Sequence, residues 1–331
     1  RYRVLNQSFN QKLGIMNKKL NILVTGCGGD IGQSLGKILL KSVYTNNLFG
    51  IDVSDKNAAQ FIFPNFSVGV RFTDEEYLQK LESFIEDNKI DIVIPIAEPE
   101  LRNFSEKGIL DSIGSAKMIT ASSMALEVGF DKYKTAEFLK AEGLPFPKTY
   151  RAEYVKVIES FPVILKSRTG SGSKDIHKIN TMDEFSFYTR NNIEDLVIQE
   201  FITDKNGEFT CGLFRSSKGQ IRSQILKREL QGGYSGYGEV IENETITALL
   251  QELAVKLNLI GSINVQLRIV DNLPKIFEIN PRFSSTVLYR HLFGFEDLIW
   301  SIEDRLGLEL SDNRQDVIGR KFYKGYEEYI K

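Results

Sequence analysis

The chain has two cysteines, two histidines, one tryptophan and eight prolines in 331 residues. Cys27 and Cys211 are too few for a disulfide framework. His177 and His291 are too few for a His-rich zinc site. No apolar run approaches the roughly 18–20 residues of a membrane-spanning helix. The first apolar stretch, Leu20–Thr25, is a strand's length and too short for the core of a signal peptide. Charge of one sign is lacking too: 42 basic and 44 acidic residues leave a formal charge of −2. That balance offers no electrostatic reason to expect nucleic acid or an anionic membrane as partner. A reduced, cytoplasmic setting fits these absences best.

What is there is ordinary globular usage, 42% hydrophobic and 26% charged. The length exceeds what one core usually organises, so two or three domains are expected. Residues 1–15 carry no clear period and Met16-Asn-Lys-Lys looks like a natural start, so 1–16 is set apart as a leader or added extension. From 17 to 115, strand patterns at Leu20–Thr25, Leu48–Val53 and Ile90–Ile96 alternate with helical ones at Ile31–Leu40 and Asp74–Asn88. That spacing predicts α/β architecture, a doubly wound parallel sheet. Beyond it, Asp131 is a candidate N-cap for a helix that stops at Gly143. Strand patterns follow at Val163–Lys166, Ile176–Ile179 and Leu196–Gln199. Thr245–Asn258 carries one apolar helical stripe, and Val265–Val270 and Lys275–Ile279 alternate as a hairpin.

Three clusters carry chemistry. In the hairpin, alternation puts Asn264, Gln266 and Arg268 on one face, and Ile276, Glu278 and Asn280 share a face of the returning strand. A five-residue turn would set Gln266 opposite Glu278, whereas a four-residue turn would separate them. In the first register Gln266, Glu278 and Asn280 line one surface with Arg282 just beyond. Hard oxygen donors with one formal charge suit a magnesium ion that also rides on phosphates. The bland alternative is a solvated polar face. The second cluster, Val163-Ile-Leu-Lys166-Ser-Arg-Thr-Gly-Ser171-Gly172-Ser173, offers an ammonium and free backbone N–H groups to a polyphosphate. It is not a Walker A loop, which places lysine after the glycines. The third, Val197-Ile-Gln-Glu200-Phe201-Ile202 followed by Glu208, reads as strand, turn and strand, with an acid on each side.

In order and spacing, these clusters resemble the ATP-grasp ligases, most closely carbamoyl-phosphate-synthase-like members. The residues carrying the resemblance are Asp131-Lys-Tyr-Lys-Thr, the lysine with its Gly/Ser loop, Gln-Glu-Phe-Ile with Glu208, Asn264-Val-Gln266, and Glu278-Ile-Asn-Pro-Arg282. They cover about 116–310. The resemblance implies a Rossmann-like pre-ATP-grasp domain over 17–115, then a two-lobed α+β ATP-grasp fold, with an N-terminal lobe at 116–190 and a C-terminal lobe with the metal site at 191–331. It implies that Lys134 and Lys166 contact nucleotide phosphates under the loop Ser171, Gly172 and Ser173. Glu200, Phe201 and Ile202 would form the adenine hinge, largely through backbone, with Glu208 on the ribose. Gln266, Glu278 and Asn280 would hold one or two Mg²⁺ ions, for which Mn²⁺ may substitute, and Arg282 would stabilise the transferred phosphoryl group. The implied activity is ATP-dependent joining of a carboxylic acid to an amine through an acyl phosphate, with small-molecule substrates and a homodimer as the default oligomer. Three departures are Gln266 where many members carry an acid, Ser167 in place of proline, and Lys174-Asp175 in place of a glycine-containing step.

Rival readings remain. Gly26-x-Gly-x-x-x-Gly32, with Asp52 ending the next strand, suggests a dinucleotide site, although the other residues offer no hydride-transfer groups. An ATP-binding regulatory subunit, or part of a split synthase, is the non-enzyme alternative. Cys27, at a helix N-terminus, is either an activated thiol or a small residue filling a turn. The stretch 227–238 is too glycine-rich for a regular strand and reads as a lid or acceptor loop, in which Arg228 is the candidate contact for a carboxylate or acyl phosphate. The basic and aromatic stretch at 317–326 reads as a C-terminal strand with an exposed face.

Overall fold

The computed structural model describes residues 19–170, 176–203, 205–314, 317–325 and 327–330. The 1–16 extension and the loop residues Ser171, Gly172 and Ser173 lie outside the described residues.

The first sheet contains β1 (Leu20–Thr25), β2 (Thr45–Asp52), β3 (Asn65–Val68), β4 (Ile92–Pro95), β5 (Ser112–Ile113) and β6 (Ala116–Met118), in the spatial order 3-2-1-4-6-5. All its pairings are parallel except β5 with β6. The helices α1 (Asp30–Leu39), α2 (Tyr77–Asp87) and α3 (Glu98–Glu106) complete a doubly wound unit. Leu35, Ile38 and Leu39 recur at helical spacing and turn α1 onto the sheet, where all three are buried.

After α4 (Ser123–Gly129) and α5 (Lys132–Ala141) comes a second, antiparallel sheet. Its strands are β7 (Thr149–Arg151), β8 (Val163–Ser167), β9 (His177–Ile179) and β10 (Leu196–Glu200), in the order 7-10-8-9, with α6 (Met182–Tyr188) beside them. The third sheet has β11 (Glu208–Arg215), β12 (Ile221–Gln231), β13 (Tyr234–Ile241), β14 (Gly261–Val270), β15 (Leu273–Asn280) and β16 (Lys321–Tyr323), in the order 15-14-11-12-13-16. The apolar stripe of α7 (Glu244–Lys256) joins Ile263, Val265, Leu267, Ile276 and Ile279 in one core that also takes Leu126 of α4 and Leu139 of α5. Each such side chain contributes about 1.5–3 kcal/mol on burial. The last helices, α8 (Val287–Leu292) and α9 (Asp297–Leu306), place Val287, Leu298, Ile299 and Ile302 in the core of the first sheet beside Leu35 and Ile38. The chain thus returns from the third sheet to seal the first.

Sheet membership differs from the expected seams at two strands. β6, beyond residue 115, pairs with β4 of the first sheet, and β10, beyond residue 190, pairs with β7 and β8. Neither seam carries a proline or glycine run to mark it in sequence. The 227–238 stretch is also regular after all. β12 and β13 pair through it, with Gly232 and Gly233 at φ 59° and 85° making a two-residue turn. Gly236 is the extra residue of a bulge, because Glu229 pairs with Tyr237 and Leu230 with Ser235.

The 261–280 hairpin reaches the useful register by an unexpected route. Its turn has only two residues, Asp271 and Asn272, at φ 49° and 64°, because Val270 pairs with Leu273. A regular ladder from that turn would set Gln266 opposite Phe277. A bulge at Phe277 shifts the register, so that Gln266 pairs with Glu278 and Asn264 with Asn280. Ile276 therefore enters the core with Ile279, instead of sharing a face with Glu278, and Phe277 and Glu278 both line the same cleft.

The turn supplies a stability test. Left-handed backbone costs a non-glycine residue about 1–2 kcal/mol, asparagine being among the more tolerant. In urea unfolding, Asn272→Gly is expected to hold or raise the midpoint. Asn272→Val, β-branched at φ 64°, is expected to lose about 1 kcal/mol or more. Equal midpoints would contradict the turn assignment.

Candidate active site

One cleft of about 880 Å³ lies where the three sheets meet, lined by Gly26, Gly29 to Gly32 and Glu98 from the first, Lys166 and Gln199 from the second, and Glu278 and Arg282 from the third. Such a volume falls in the range of small-molecule sites, about 300–1,000 Å³.

Lys166 lies one residue before the end of β8 at a buried position, 5% exposed. Its Nζ donates to Gln199 Oε1 at 2.8 Å, and Gln199 Nε2 donates to Thr149 Oγ1 at 2.9 Å. The amide is thereby oriented with its oxygen toward the ammonium. Burial pushes the Lys166 ammonium down to about 8, Lys132 and Arg268 push the same way, and Glu278 and Glu208 oppose them. A buried cation whose hydrogen-bond partner is a neutral amide is well placed to take an anion.

Alternation along β11, β12 and β14 puts the charged groups of the third sheet on the cleft face. Glu208 lies between two arginines: Arg228 Nη2 at 2.7 Å from one carboxylate oxygen and Arg268 Nη2 at 2.5 Å from the other. Arg228 also donates to Gln266 Oε1 at 2.8 Å and to Ser235 Oγ at 3.1 Å. Arg268 donates to the Ile202 carbonyl at 2.6 Å. Beyond them, burial pushes the Arg282 guanidinium down while Glu98 and Glu278 support its charge. Arg282 donates to Asn280 Oδ1 at 3.3 Å.

Gln266, Glu278 and Asn280 all line the cleft, on paired strands. Among the described residues no hydrogen bond or ion pair engages the Glu278 carboxylate, which acts on Lys166 and Arg282 through space. Among the described residues no group of three or more His, Cys, Asp and Glu side chains is placed to hold a metal ion. A cation here would therefore rest on one carboxylate, two amide oxygens and the ligand's own oxygens. That donor set fits magnesium, which favours hard oxygen and seldom needs an all-protein cage.

Other expected positions separate. Glu200 and Ile202 line the cleft and Phe201 does not. The Lys178 ammonium lies 4.5 Å from the Phe201 ring centroid. Lys134 points away from the cleft and pairs with Glu127 at 2.9 Å. Lys132 lines the cleft in its stead, its Nζ donating to the Gly170 carbonyl at 2.7 Å. The reason is helical: Asp131 caps Tyr133 and Lys134, and side chains two positions apart project about 200° apart. Sequence reasoning gave no role to Lys132, Phe277 or Arg268, although alternation had put Arg268 on the face of Gln266. The Cys27 thiol is buried, and burial pushes it up to about 12, the opposite direction from an activated thiol. Asp52 accepts from the Gly28 N–H at 2.8 Å and does not line the cleft.

Residues 130–286 match the family model described as an ATP-grasp domain. A coenzyme gamma-F420-2:alpha-L-glutamate ligase from Methanococcus maripaludis is 28% identical over 164 residues, covering 44% of this chain and 54% of that protein. The carbamoyl phosphate synthase large chain of a Thermoanaerobacter species is 23% identical over 223 residues, covering 59% of this chain and 20% of its own. The chain thus spans about half of the first relative's length and about a fifth of the second's. The N5-carboxyaminoimidazole synthetase of Staphylococcus aureus, complexed with ADP, superposes with a TM-score of 0.71 at 18% identity, covering 89% of this chain and 79% of that one. At that identity the likeness shows the fold.

Lys166 supplies a pH test. Its ammonium is charged below about pH 8 and loses its proton above, so ADP should bind more weakly as pH rises through that region. Bound phosphate favours the charged form and moves the transition upward. Calorimetric titration of ADP with magnesium from pH 6.5 to 9.5 should show the loss. Lys166→Met should weaken binding at pH 7 by roughly tenfold, the scale of a charged hydrogen bond, and flatten the profile. A profile unchanged by Lys166→Met would contradict this role.

Proposed function

The chain carries an ATP-grasp domain over residues 130–286, and from that premise we propose a Mg²⁺-ATP-dependent ligase that joins a carboxylic acid to an amine through an acyl phosphate. The observation that supports it most is the convergence of Lys166, Arg282, Glu278, Gln266 and Asn280 on one cleft. Nucleotide binding alone does not call for a half-buried arginine beside the metal-type donors.

On this reading the nucleotide enters between the second and third sheets. Lys166 and Lys132 take its phosphates, and the 200–202 backbone and Glu208 hold its base and ribose. Gln266, Glu278 and Asn280 would hold magnesium, which when bound would supply neutralisation of the phosphate charge. The acid's carboxylate oxygen attacks the γ-phosphorus and ADP departs. The amine nitrogen then attacks the acyl carbon, phosphate leaves with the carboxylate oxygen, and the nitrogen gives up a proton. Arg282 stands where charge builds on the transferred group. The work is positioning and charge neutralisation. It uses no side-chain nucleophile, and both cysteines are buried. The first sheet adds Gly26, Gly29 to Gly32 and Glu98, which acts on Arg282, and the acceptor would sit there.

The test is release of ADP and phosphate with pooled carboxylic acids and amines. Glu278→Gln and Arg282→Ala should each cut release by about 10²–10³, the scale of one lost charge-stabilising contact, with the melting temperature little changed. Unchanged release in either variant would refute the assignment.

A further inference from the structure

A second cavity, of about 410 Å³, lies at the carboxyl ends of β1–β3 in the first sheet. It shares Gly26 and Ala97 with the main cleft but opens on the α2 side of the sheet. The start of α3 faces both ways: Glu98 lines the cleft, and Glu100, two residues on, lines this second cavity.

Apolar side chains, among them Ile51, Phe72, Leu81 and Phe84, form its walls. At its base is Glu100, 6% exposed, a buried acid that the ligase reading does not use. Thr25 Oγ1 donates to one of its oxygens at 2.6 Å and the Tyr77 hydroxyl to the other. Both donors are neutral, and among the described residues no cation forms an ion pair with this carboxylate. Burial pushes the Glu100 carboxyl up, the Thr25 and Tyr77 hydrogen bonds hold it down, and Asp52 pushes it up. An ionised carboxylate has about four acceptor positions, of which these two hydrogen bonds occupy two, and Glu100 itself lines the cavity. Exposed Arg71 and Lys80 stand among the lining residues.

We propose that this cavity is a second small-molecule site, for an amphoteric ligand that sets an N–H or ammonium head on Glu100, an apolar or aromatic body against Phe72 and Phe84, and an acidic group on Arg71. Amino acids and nucleoside monophosphates share that chemistry. Either would be seated across the Gly26–Ala97 wall from the reacting groups, so occupancy can be felt in the cleft.

The test uses the full chain with a non-hydrolysable ATP analogue and magnesium saturating the main cleft. Saturation-transfer NMR is run over a mixture of the proteinogenic amino acids and the four ribonucleoside monophosphates. Transfer to one class, lost in both Glu100→Gln and Arg71→Ala, is expected and identifies the source. Arg71 is exposed, so its variant should fold even where a change at the base does not. No transfer to any member, or transfer unchanged in Arg71→Ala, would overturn the proposal. The ligase reading does not depend on the outcome, because the analogue's own binding is followed in the same samples.

Discussion

A lysine ammonium buried without a carboxylate at contact distance is the constraint around which the cleft is arranged. Lys166 donates to the Gln199 amide, which Thr149 holds in turn, and its charge is opposed by burial, Lys132 and Arg268 together. An anion relieves all three. The neighbouring groups follow the same logic: Glu208 is shared by two arginines, half-buried Arg282 donates to Asn280, and the Glu278 carboxylate acts on both Lys166 and Arg282 through space. The site is preorganised for a ligand that brings negative charge and a hard cation together, as a nucleoside triphosphate does.

That arrangement depends on one extra residue. A two-residue turn at Asp271-Asn272 alone would turn Phe277 toward Gln266. The bulge at Phe277 puts Glu278 there instead and sends Ile276 and Ile279 into the core. The register was legible from sequence only as a conditional, because a long regular turn and a short turn with a bulge give the same pairing. Periodicity at Gln266 and Arg268 was sufficient to identify the cleft face. It was insufficient at Lys134, where the choice between two lysines of Asp131-Lys-Tyr-Lys turns on a helical phase set by the N-cap. It failed in 227–238, where Gly232 and Gly233 form a turn and Gly236 a bulge, so glycines that suggested a loop are what allow a continuous hairpin. The seams near 115 and 190 were hidden for another reason: β6 and β10 are recruited by partners distant in sequence, and nothing local records that.

The first sheet contributes more than a scaffold. Its glycine loop closes on Asp52, and Gly26 and Ala97 border both the cleft and the second cavity. Helices α8 and α9 bind its core to the end of the third sheet, so the cleft's far wall is fixed to the same body that carries Glu278 and Arg282. A change at the Gly26–Ala97 wall has little slack in which to dissipate, since packed interiors shift between arrangements rather than yield smoothly.

The central claim is that a carboxylate attacks the γ-phosphorus. Supplying the acid pool with ¹⁸O in its carboxylates, together with Mg-ATP and the amine pool, tests this most directly by mass spectrometry of the released phosphate. One ¹⁸O per phosphate, appearing with ADP and dependent on the acid, is the expected result. Phosphate without label, or AMP with pyrophosphate as the nucleotide products, would contradict the account.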